Sequence, residues 1–151
     1  MHIKKFRHVA LVVTDLDKML HFYTQVLEFK VKRRFEIKSP EFQTGIGVFG
    51  AEAKGTHLAI SNSDVEMELF QFSVPTPHAS NSLQPANQLG YRHIALVVDD
   101  LQEAYSQLKA KGVTFLSEPI TVKEPKELDG FQFVYFRDPE GNIVEFNQLP
   151  E

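Results

Sequence analysis

The sequence of 151 residues contains no cysteine, so disulfide bonds, thiolate nucleophiles and cysteine-based zinc sites are all excluded. It carries no excess of positive charge, because 16 Lys and Arg residues face 20 Asp and Glu residues, and nucleic acid is therefore not expected as a partner. No apolar run approaches the roughly 18 residues of a membrane-spanning helix, and none follows the N-terminus as in a signal peptide. These absences predict a single cytoplasmic domain over residues 1–151 that contacts neither nucleic acid nor a membrane.

What the sequence does contain is an internal repeat. The segment RHVALVVTDL at residues 7–16 returns as RHIALVVDDL at residues 92–101, with eight of ten positions identical at an offset of 85 residues. Such a repeat indicates two copies of one structural module. We place the first module at residues 5–72 and the second at 91–148, joined by a proline-containing linker over residues 73–90.

Each copy of the repeat predicts a strand followed by a helix. The apolar, β-branched strand leads to Asp15 or Asp100, and aspartate is a usual N-cap at a helix start. Further strands are expected at residues 29–37, in part of 42–49, and at 56–60 and 65–72, then at 113–116, 131–136 and 143–147. The sequence DPEG at 138–141 predicts a turn between the last two strands. The fold class is therefore α+β, with a strand, a helix and further strands in each half.

Four side chains capable of binding metal occupy matched positions in the two modules. His8 and His93 stand at the start of the first strand of each module, and Glu68 and Glu145 stand in the last strand. A carboxylate between apolar strand residues is costly to bury without a partner, and a divalent cation shared with histidine is such a partner. Nitrogen and oxygen donors without sulfur suit Zn²⁺ or Ni²⁺ first, and also Co²⁺, Mn²⁺ or Fe²⁺. We therefore predict His8, Glu68, His93 and Glu145 as ligands of one divalent metal ion.

Two nearby residues leave alternatives open. Glu66 points to the same face of its strand as Glu68, so one of the two can be merely solvated. His57 could line the same pocket, but a structural or exposed histidine is the more common case.

Several motifs resemble those of the glyoxalase, or vicinal oxygen chelate, superfamily. They are the two repeat segments, HFY at 21–23, ELF at 68–70, and DPEGN at 138–142 leading to Glu145. The resemblance extends over residues 5–148 and implies two tandem βαβββ modules that form a cupped mixed sheet around a metal. In glyoxalase I-like members the ligands are two His and two Glu, which His8, Glu68, His93 and Glu145 supply here.

The resemblance also implies an activity. The expected enzyme is a glyoxalase-like, metal-dependent lyase or isomerase that acts on a small α-oxygenated substrate through a metal-stabilised enediolate. Glu145 is expected to remove the substrate proton, and Glu68 to be able to return it. The expected partners are this small molecule and a second copy of the chain in a homodimer, with the modules paired within one chain or across two.

Two other functions stay open. An epimerase like those acting on methylmalonyl-CoA needs the same enolate, although such enzymes generally have Gln at the position of Glu68. A non-catalytic protein of the same fold would sequester an antibiotic or a metabolite in a cup lined by aromatic side chains. The candidates for that lining, all of which could equally be core residues, are Phe70, Phe72, Phe131, Phe133 and Tyr135.

Two features depart from the family pattern. Glu28 stands where such sequences usually have Gly, at a turn that tends to need a positive φ, so a side chain there either costs roughly 1 kcal/mol or indicates a different turn. The segment after Glu68 lacks the Asn-Trp-Gly stretch of glutathione-dependent glyoxalases, and the sequence contains no Trp. The chemistry therefore transfers better than the substrate does.

Overall fold

The structure is a computed structural model that describes residues 1–77 and 83–150. The chain separates into two compact units, unit 1 (Met1–Ala79) and unit 2 (Ser80–Glu151). Residues 78–82 of the predicted linker lie outside the described residues. Within the described ranges, no helix has both the length and the apolar character needed to cross a membrane.

Unit 1 is a four-stranded mixed sheet with a helix packed against it. Its elements are β1 (His8–Val12), α1 (Leu16–His21) with a π-helical extension (Phe22–Val26), β2 (Lys30–Ile37), α2 (Pro40–Ile46), β3 (Glu52–Ala59) and β4 (Glu66–Val74). The strand order is β1-β4-β3-β2, with β1 parallel to β4 and the other pairs antiparallel. The first strand of the unit is therefore the neighbour of its last.

Unit 2 repeats this topology. Its elements are β5 (His93–Val97), α3 (Leu101–Ala110), β6 (Thr114–Phe115), β7 (Ile120–Thr121), a 3₁₀ helix (Lys126–Leu128), β8 (Gln132–Arg137) and β9 (Ile143–Gln148). The strand order is β5-β9-β8-β6, β7 also pairs with β8, and β5 runs parallel to β9. The predicted α+β fold class, with a mixed sheet following each copy of the repeat, is confirmed.

The two helices that follow the repeat begin in the same way. The carboxylates of Asp15 and Asp100 each accept a hydrogen bond from the backbone N–H three residues later, at 3.0 and 2.8 Å, as an N-cap does. The first helical N–H of each unit donates to a glutamine side chain in the last strand, Gln71 at 3.1 Å in unit 1 and Gln148 at 2.8 Å in unit 2. These glutamines tie each helix to the strand that carries a predicted metal ligand.

The strand predicted in part of 42–49 is wrong, because that segment contains most of α2. Ser39 accepts a hydrogen bond from the Phe42 N–H at 3.3 Å, and Pro40 occupies the first helical position. Gly47 ends the helix with a φ of 70°. Capping residues at both ends therefore outweigh the apolar pattern between them.

Glu28 adopts the positive φ that its position was expected to need. Its φ is 62°, directly after the π-helical turn. The N–H of Phe29 donates across the turn to the carbonyl oxygen of Tyr23 at 2.9 Å. The backbone therefore keeps the left-handed helix end that usually calls for glycine, and a glutamate occupies it at a cost.

Each sheet has a helix-covered face and a face that carries polar residues. In unit 1, Leu58, Met67 and Leu69 are buried on the face toward α1. In unit 2, Val134 and Phe136 are buried on the face toward α3. The other face of each sheet carries the predicted metal ligands.

Candidate metal-binding site

In unit 1 the register of the sheet brings His8 and Glu68 together. Ala10 of β1 is the register partner of Glu68 in β4, and His8 lies two residues earlier on the same face of β1. His8 Nε2 is 3.4 Å from Glu68 Oε2. Glu68 is 8% exposed, whereas the side chain of His8 is 37% exposed. This pair, called half-site 1, combines a buried carboxylate with an imidazole open to solvent.

Unit 2 contains an equivalent pair, called half-site 2. Ala95 of β5 is the register partner of Glu145 in β9, and His93 again lies two residues earlier. His93 Nε2 is 3.3 Å from Glu145 Oε2. Glu145 is 7% exposed and the side chain of His93 is 40% exposed. The sequence repeat is therefore a repeat of side-chain geometry as well.

The spacing within each half-site fits two adjacent ligands of one metal ion. Ligand atoms about 2.1 Å from a metal lie about 3.0 Å apart at a right angle and about 3.4 Å apart at a tetrahedral angle. The observed His–Glu separations of 3.4 and 3.3 Å fall at the upper end of this range. Within the described residues, however, no group of three or more His, Cys, Asp or Glu side chains is arranged to hold a metal ion. Each unit supplies two candidate ligands, and the four-ligand set stays a prediction.

His57 contacts half-site 1 as a buried residue, so of the alternatives left open by the sequence only an exposed histidine does not apply. It is 2% exposed and stands directly opposite Glu68 in the pairing of β3 with β4. Its Nε2 is 2.7 Å from Glu68 Oε1, and its Nδ1 is 2.8 Å from Glu66 Oε2. His57 thus holds the carboxylate oxygen of Glu68 that does not face His8.

Two cations from β2 complete this network. Lys32 Nζ lies 2.5 Å from Glu66 Oε1, and the hydrogen bond from Lys32 lowers the pKa of the Glu66 carboxyl to about 2. Arg33 Nη2 lies 2.9 Å from His57 Nε2. The register of β2 shifts between Val31 and Arg33, and this irregularity lets the side chains of both cations reach the same face. Glu66 is therefore engaged in an ion pair and is not merely solvated.

Half-site 2 has a simpler surrounding. Tyr135 is the register partner of Glu145, so it takes the position that His57 takes in unit 1. Burial, followed by the negative charge of Glu145, raises the pKa of the Tyr135 phenol, which stays protonated at neutral pH and hydrogen-bonds to Glu145. Ile143 stands opposite His93, at the position that corresponds to Glu66. The carboxylate of Glu66, which contacts His57 in unit 1, therefore has no counterpart at the equivalent position of unit 2.

Aromatic side chains extend from both half-sites. Phe35 lies 5.7 Å from the His57 ring and 5.2 Å from the Phe70 ring, centroid to centroid. Phe42, Phe70 and Phe72 stack on one another with interplanar angles of 15 to 21°. The run in unit 2 consists of Phe131, Phe133 and Tyr135, with separations of 6.0 and 5.7 Å. These rings are half-buried, so they form a partly accessible apolar surface beside the carboxylates.

A surface cavity in unit 1 lies away from half-site 1. It is found at the end of β2, β3 and β4, and its charged lining residues are Glu36, Lys38, Glu52 and Lys54. Glu36 and Lys54 are register partners on adjacent strands, so these opposite charges face each other. The mixed charges favour no single class of ligand.

A mixed βαβ-type sheet repeated in each unit, with a His–Glu pair at each equivalent position, defines the class of the vicinal oxygen chelate proteins. The family model described as the Glyoxalase/Bleomycin resistance protein/Dioxygenase superfamily matches residues 5–146, and the chain belongs to this superfamily.

Curated relatives include enzymes with assigned names. A probable lactoylglutathione lyase of Vibrio cholerae is 27% identical over 93% of this chain and 88% of the relative. A lactoylglutathione lyase of Arabidopsis thaliana is 27% identical over 96% of this chain, and the chain spans only 44% of that protein. A 2-epi-5-epi-valiolone epimerase of an Actinomyces species is 28% identical over 95% of this chain and 78% of the relative. The sequence is thus similar to enzymes of more than one activity.

Solved structures support the fold. A glyoxalase family protein from Bacillus cereus superposes with a TM-score of 0.88 at 19% identity, covering 100% of this chain and 97% of that one. An antibiotic-binding protein from a Streptomyces species superposes with a TM-score of 0.65 at 20% identity, covering 99% of each chain. At these identities the likeness concerns the fold alone.

Proposed function

We propose that this protein is a metal-dependent lyase or isomerase of the glyoxalase type, acting on a small substrate with two neighbouring oxygen atoms. The observation that carries this proposal is the pair of equivalent half-sites, each with a histidine Nε2 and a glutamate Oε2 at the spacing of adjacent metal ligands. We propose that one divalent ion takes its ligands from both half-sites, His8 and Glu68 together with His93 and Glu145. Two carboxylates balance the charge of a divalent ion, and two imidazoles complete a donor set without sulfur.

In this proposal the side chains of both half-sites have separate roles in the removal of a proton from the substrate carbon. A bound divalent ion would act as a Lewis acid and stabilise the negative charge that develops on the substrate oxygens. Glu145 would accept the proton from the substrate carbon at a carboxylate oxygen and would hold it for return to the neighbouring carbon. Tyr135, protonated at neutral pH, would donate a hydrogen bond to Glu145 while that carboxylate moves. The half-buried aromatic rings would exclude water from the reacting carbon.

The substrate we propose to test first is a lactoyl thioester, because relatives at 27% identity are named lactoylglutathione lyases. The thiol part stays open, since the sequence lacks the tryptophan-containing stretch of glutathione-dependent members. Exchange of the lactoyl C–H proton with solvent deuterium, followed by NMR, measures the proposed proton transfer directly. Lactoylglutathione and a lactoyl thioester of a small thiol should be compared. Exchange with both supports the lyase chemistry, exchange with the first alone adds glutathione recognition, and exchange with neither contradicts the lactoyl proposal.

Metal binding is tested by calorimetric titration of the metal-free protein with Ni²⁺ or Zn²⁺. His8→Ala and His93→Ala should each weaken metal binding by more than about 100-fold, because each substitution removes the imidazole ligand of one half-site and leaves only its carboxylate. His21→Ala is the matched control, since His21 is exposed at the end of α1 and belongs to neither half-site. Wild-type affinity in both His8→Ala and His93→Ala would refute the ligand assignment.

The two half-sites come either from one chain or from two copies in a homodimer, and mixing of variants distinguishes these cases. His8→Ala and His93→Ala proteins are unfolded, combined and refolded together. If each metal takes its ligands from two chains, a mixed dimer has one intact site and regains tight binding. If the ligands come from one chain, no combination restores it.

A binding protein is the second candidate, and the stacked aromatic side chains favour it. Phe42, Phe70 and Phe72 present parallel, half-buried rings in unit 1, which suits a planar ligand. Metal-saturated protein that exchanges no substrate proton but binds planar apolar compounds would support this candidate. An epimerase needs the same proton transfer and is recognised by a change of configuration at the carbon that exchanges its proton.

A further inference from the structure

The two half-sites are alike in their metal-facing atoms and different in what holds each carboxylate. We infer that His57 is a positioning residue that holds the carboxylate of Glu68 in the orientation in which its Oε2 faces His8. The inference rests on the proposed metal-dependent function, and it distinguishes Glu68, which a buried imidazole holds, from Glu145 at the equivalent position of the repeat.

His57 acts through Glu68, because neither ring nitrogen is available to a metal. Nδ1 faces Glu66 Oε2 at 2.8 Å, and Nε2 faces Glu68 Oε1 at 2.7 Å. Both ring nitrogens therefore already face carboxylate oxygens at hydrogen-bonding distance, in a side chain that is buried. Arg33 Nη2 also lies 2.9 Å from Nε2, so this nitrogen has a second protein partner.

The His57 ring is part of a chain of side-chain contacts between three neighbouring strands. Lys32 of β2 pairs with Glu66 of β4, Glu66 binds His57 of β3, and His57 binds Glu68 of β4. His57 is 2% exposed, and the Phe35 ring lies against it at 5.7 Å. A movement of the Glu68 carboxylate would break its 2.7 Å contact with this buried ring, and a hydrogen bond lost at a buried group is costly.

Glu145 has a weaker support. Its partner at the position of His57 is Tyr135, a single hydroxyl that can follow a moving acceptor by rotating its O–H bond. Ile143 stands at the position of Glu66, so no carboxylate there anchors that partner from the same strand. Displacement of Glu145 therefore costs less than displacement of Glu68.

The test uses two substitutions that each keep one half of the His57 contacts. In His57→Gln the amide nitrogen can take the place of Nε2 and donate to Glu68, whereas in His57→Asn it takes the place of Nδ1 and donates to Glu66. Tyr135→Phe is the matched variant of the equivalent position in unit 2. Each full-length protein is freed of metal and titrated with Co²⁺, with affinity from calorimetry, coordination from the visible absorption of bound Co²⁺, and folding from thermal unfolding.

We expect His57→Asn to weaken Co²⁺ binding about 10- to 100-fold and to alter its visible spectrum, because the ligand oxygen of Glu68 is no longer oriented. We expect His57→Gln to bind Co²⁺ within about threefold of wild type with an unchanged spectrum, although it loses as much thermal stability as His57→Asn. Tyr135→Phe should change the affinity less than His57→Asn does.

Three outcomes would overturn the inference, and they differ from one another. Equal losses of affinity in His57→Asn and His57→Gln, following their loss of stability, would show a purely structural role. Wild-type affinity and spectrum in both would show that His57 does not position Glu68. A wild-type protein that binds no Co²⁺ would remove the proposed metal-dependent function, and the role of His57 with it.

Discussion

Gly55 is the residue at which a single methyl group should disturb half-site 1 most directly. It is the register partner of Phe35 on β2 and of Phe70 on β4, and the Phe35 ring lies over it. A Cβ atom at this position would lie 2.4 Å from Phe35 Cζ and 2.7 Å from the carbonyl oxygen of Leu69. The oxygen cannot retreat easily, because β4 is paired on both sides within its sheet. The Phe35 ring must therefore move, and its contact with the His57 ring changes with it.

The cost of Gly55→Ala can be worked from these contacts. Overpacking of a well-packed site costs about 1–3 kcal/mol, and displacing Phe35 forfeits ring contacts worth about 0.5–1.5 kcal/mol. Replacing glycine returns about 0.4–1 kcal/mol by restricting the unfolded chain. The balance is a loss of about 2 kcal/mol, which corresponds to a fall in Tm of about 4–8 °C for a chain of this length.

The assay is urea and thermal unfolding of Gly55→Ala beside Gly45→Ala. Gly45 lies inside α2, and a Cβ there meets no atom within 4 Å. Gly45→Ala should therefore raise the free energy of unfolding by about 0.5–1 kcal/mol. A Gly55→Ala protein as stable as wild type would refute the close approach of Phe35 and with it the packing that supports His57.

Four further predictions follow from other contacts. Glu28→Gly should raise the free energy of unfolding by about 1 kcal/mol in urea unfolding, because φ is 62° at this position; no gain would mean that the turn is unstrained. Gln148→Leu removes the acceptor of the first N–H of α3 and should cost about 1–3 kcal/mol in the same measurement, and an unchanged stability would show that solvent replaces the bond. The pKa of Tyr135 is raised in the folded protein, so its contribution to stability is complete below a pH of about 10 and is lost as the pH rises through the folded-state pKa. Above a pH of about 10, the free energy of unfolding of the wild type should therefore fall more steeply with pH than that of Tyr135→Phe. Identical slopes in the two proteins would argue against a raised pKa of Tyr135. Glu145→Gln should abolish substrate proton exchange while retaining metal, and an unaffected exchange rate in this variant together with its loss in Glu68→Gln would identify Glu68 as the base.

Patterns that depend on neighbouring residues were predictable from the sequence. The Asp15 and Asp100 caps act within one helical turn, and the structure has both hydrogen bonds. The hairpin of β8 and β9 was expected from the turn residues Asp138–Gly141, and the Gly141 N–H donates to the Asp138 carbonyl oxygen at 2.9 Å. Local chemistry of this kind leaves few alternatives.

The features that the sequence did not reveal depend on distant residues or on a conflict between local signals. His57 acquires its role from the register that sets it opposite Glu68, and no spacing within the sequence specifies that register. The apolar residues around Phe42 fit a short strand as well as a helix, and the Ser39 cap decides in favour of α2. The metal ligand set stays a prediction, since each unit presents only its own pair.

The parallel pairing of the first and last strands sets the order in which the half-sites can form. In unit 1, β1 is at the edge of its sheet and pairs with β4, so His8 and Glu68 meet across 60 residues of chain; in unit 2, His93 and Glu145 meet across 52. Pairing between residues so distant in sequence forms slowly, because the loop between them must close first. A chain that ends before the last strand of a unit therefore has an imidazole with no carboxylate beside it. Capture of the proposed metal ion would therefore require both units to be complete, and fraying of β1 or β5 from its sheet edge would weaken the ion's hold before the rest of the fold is lost.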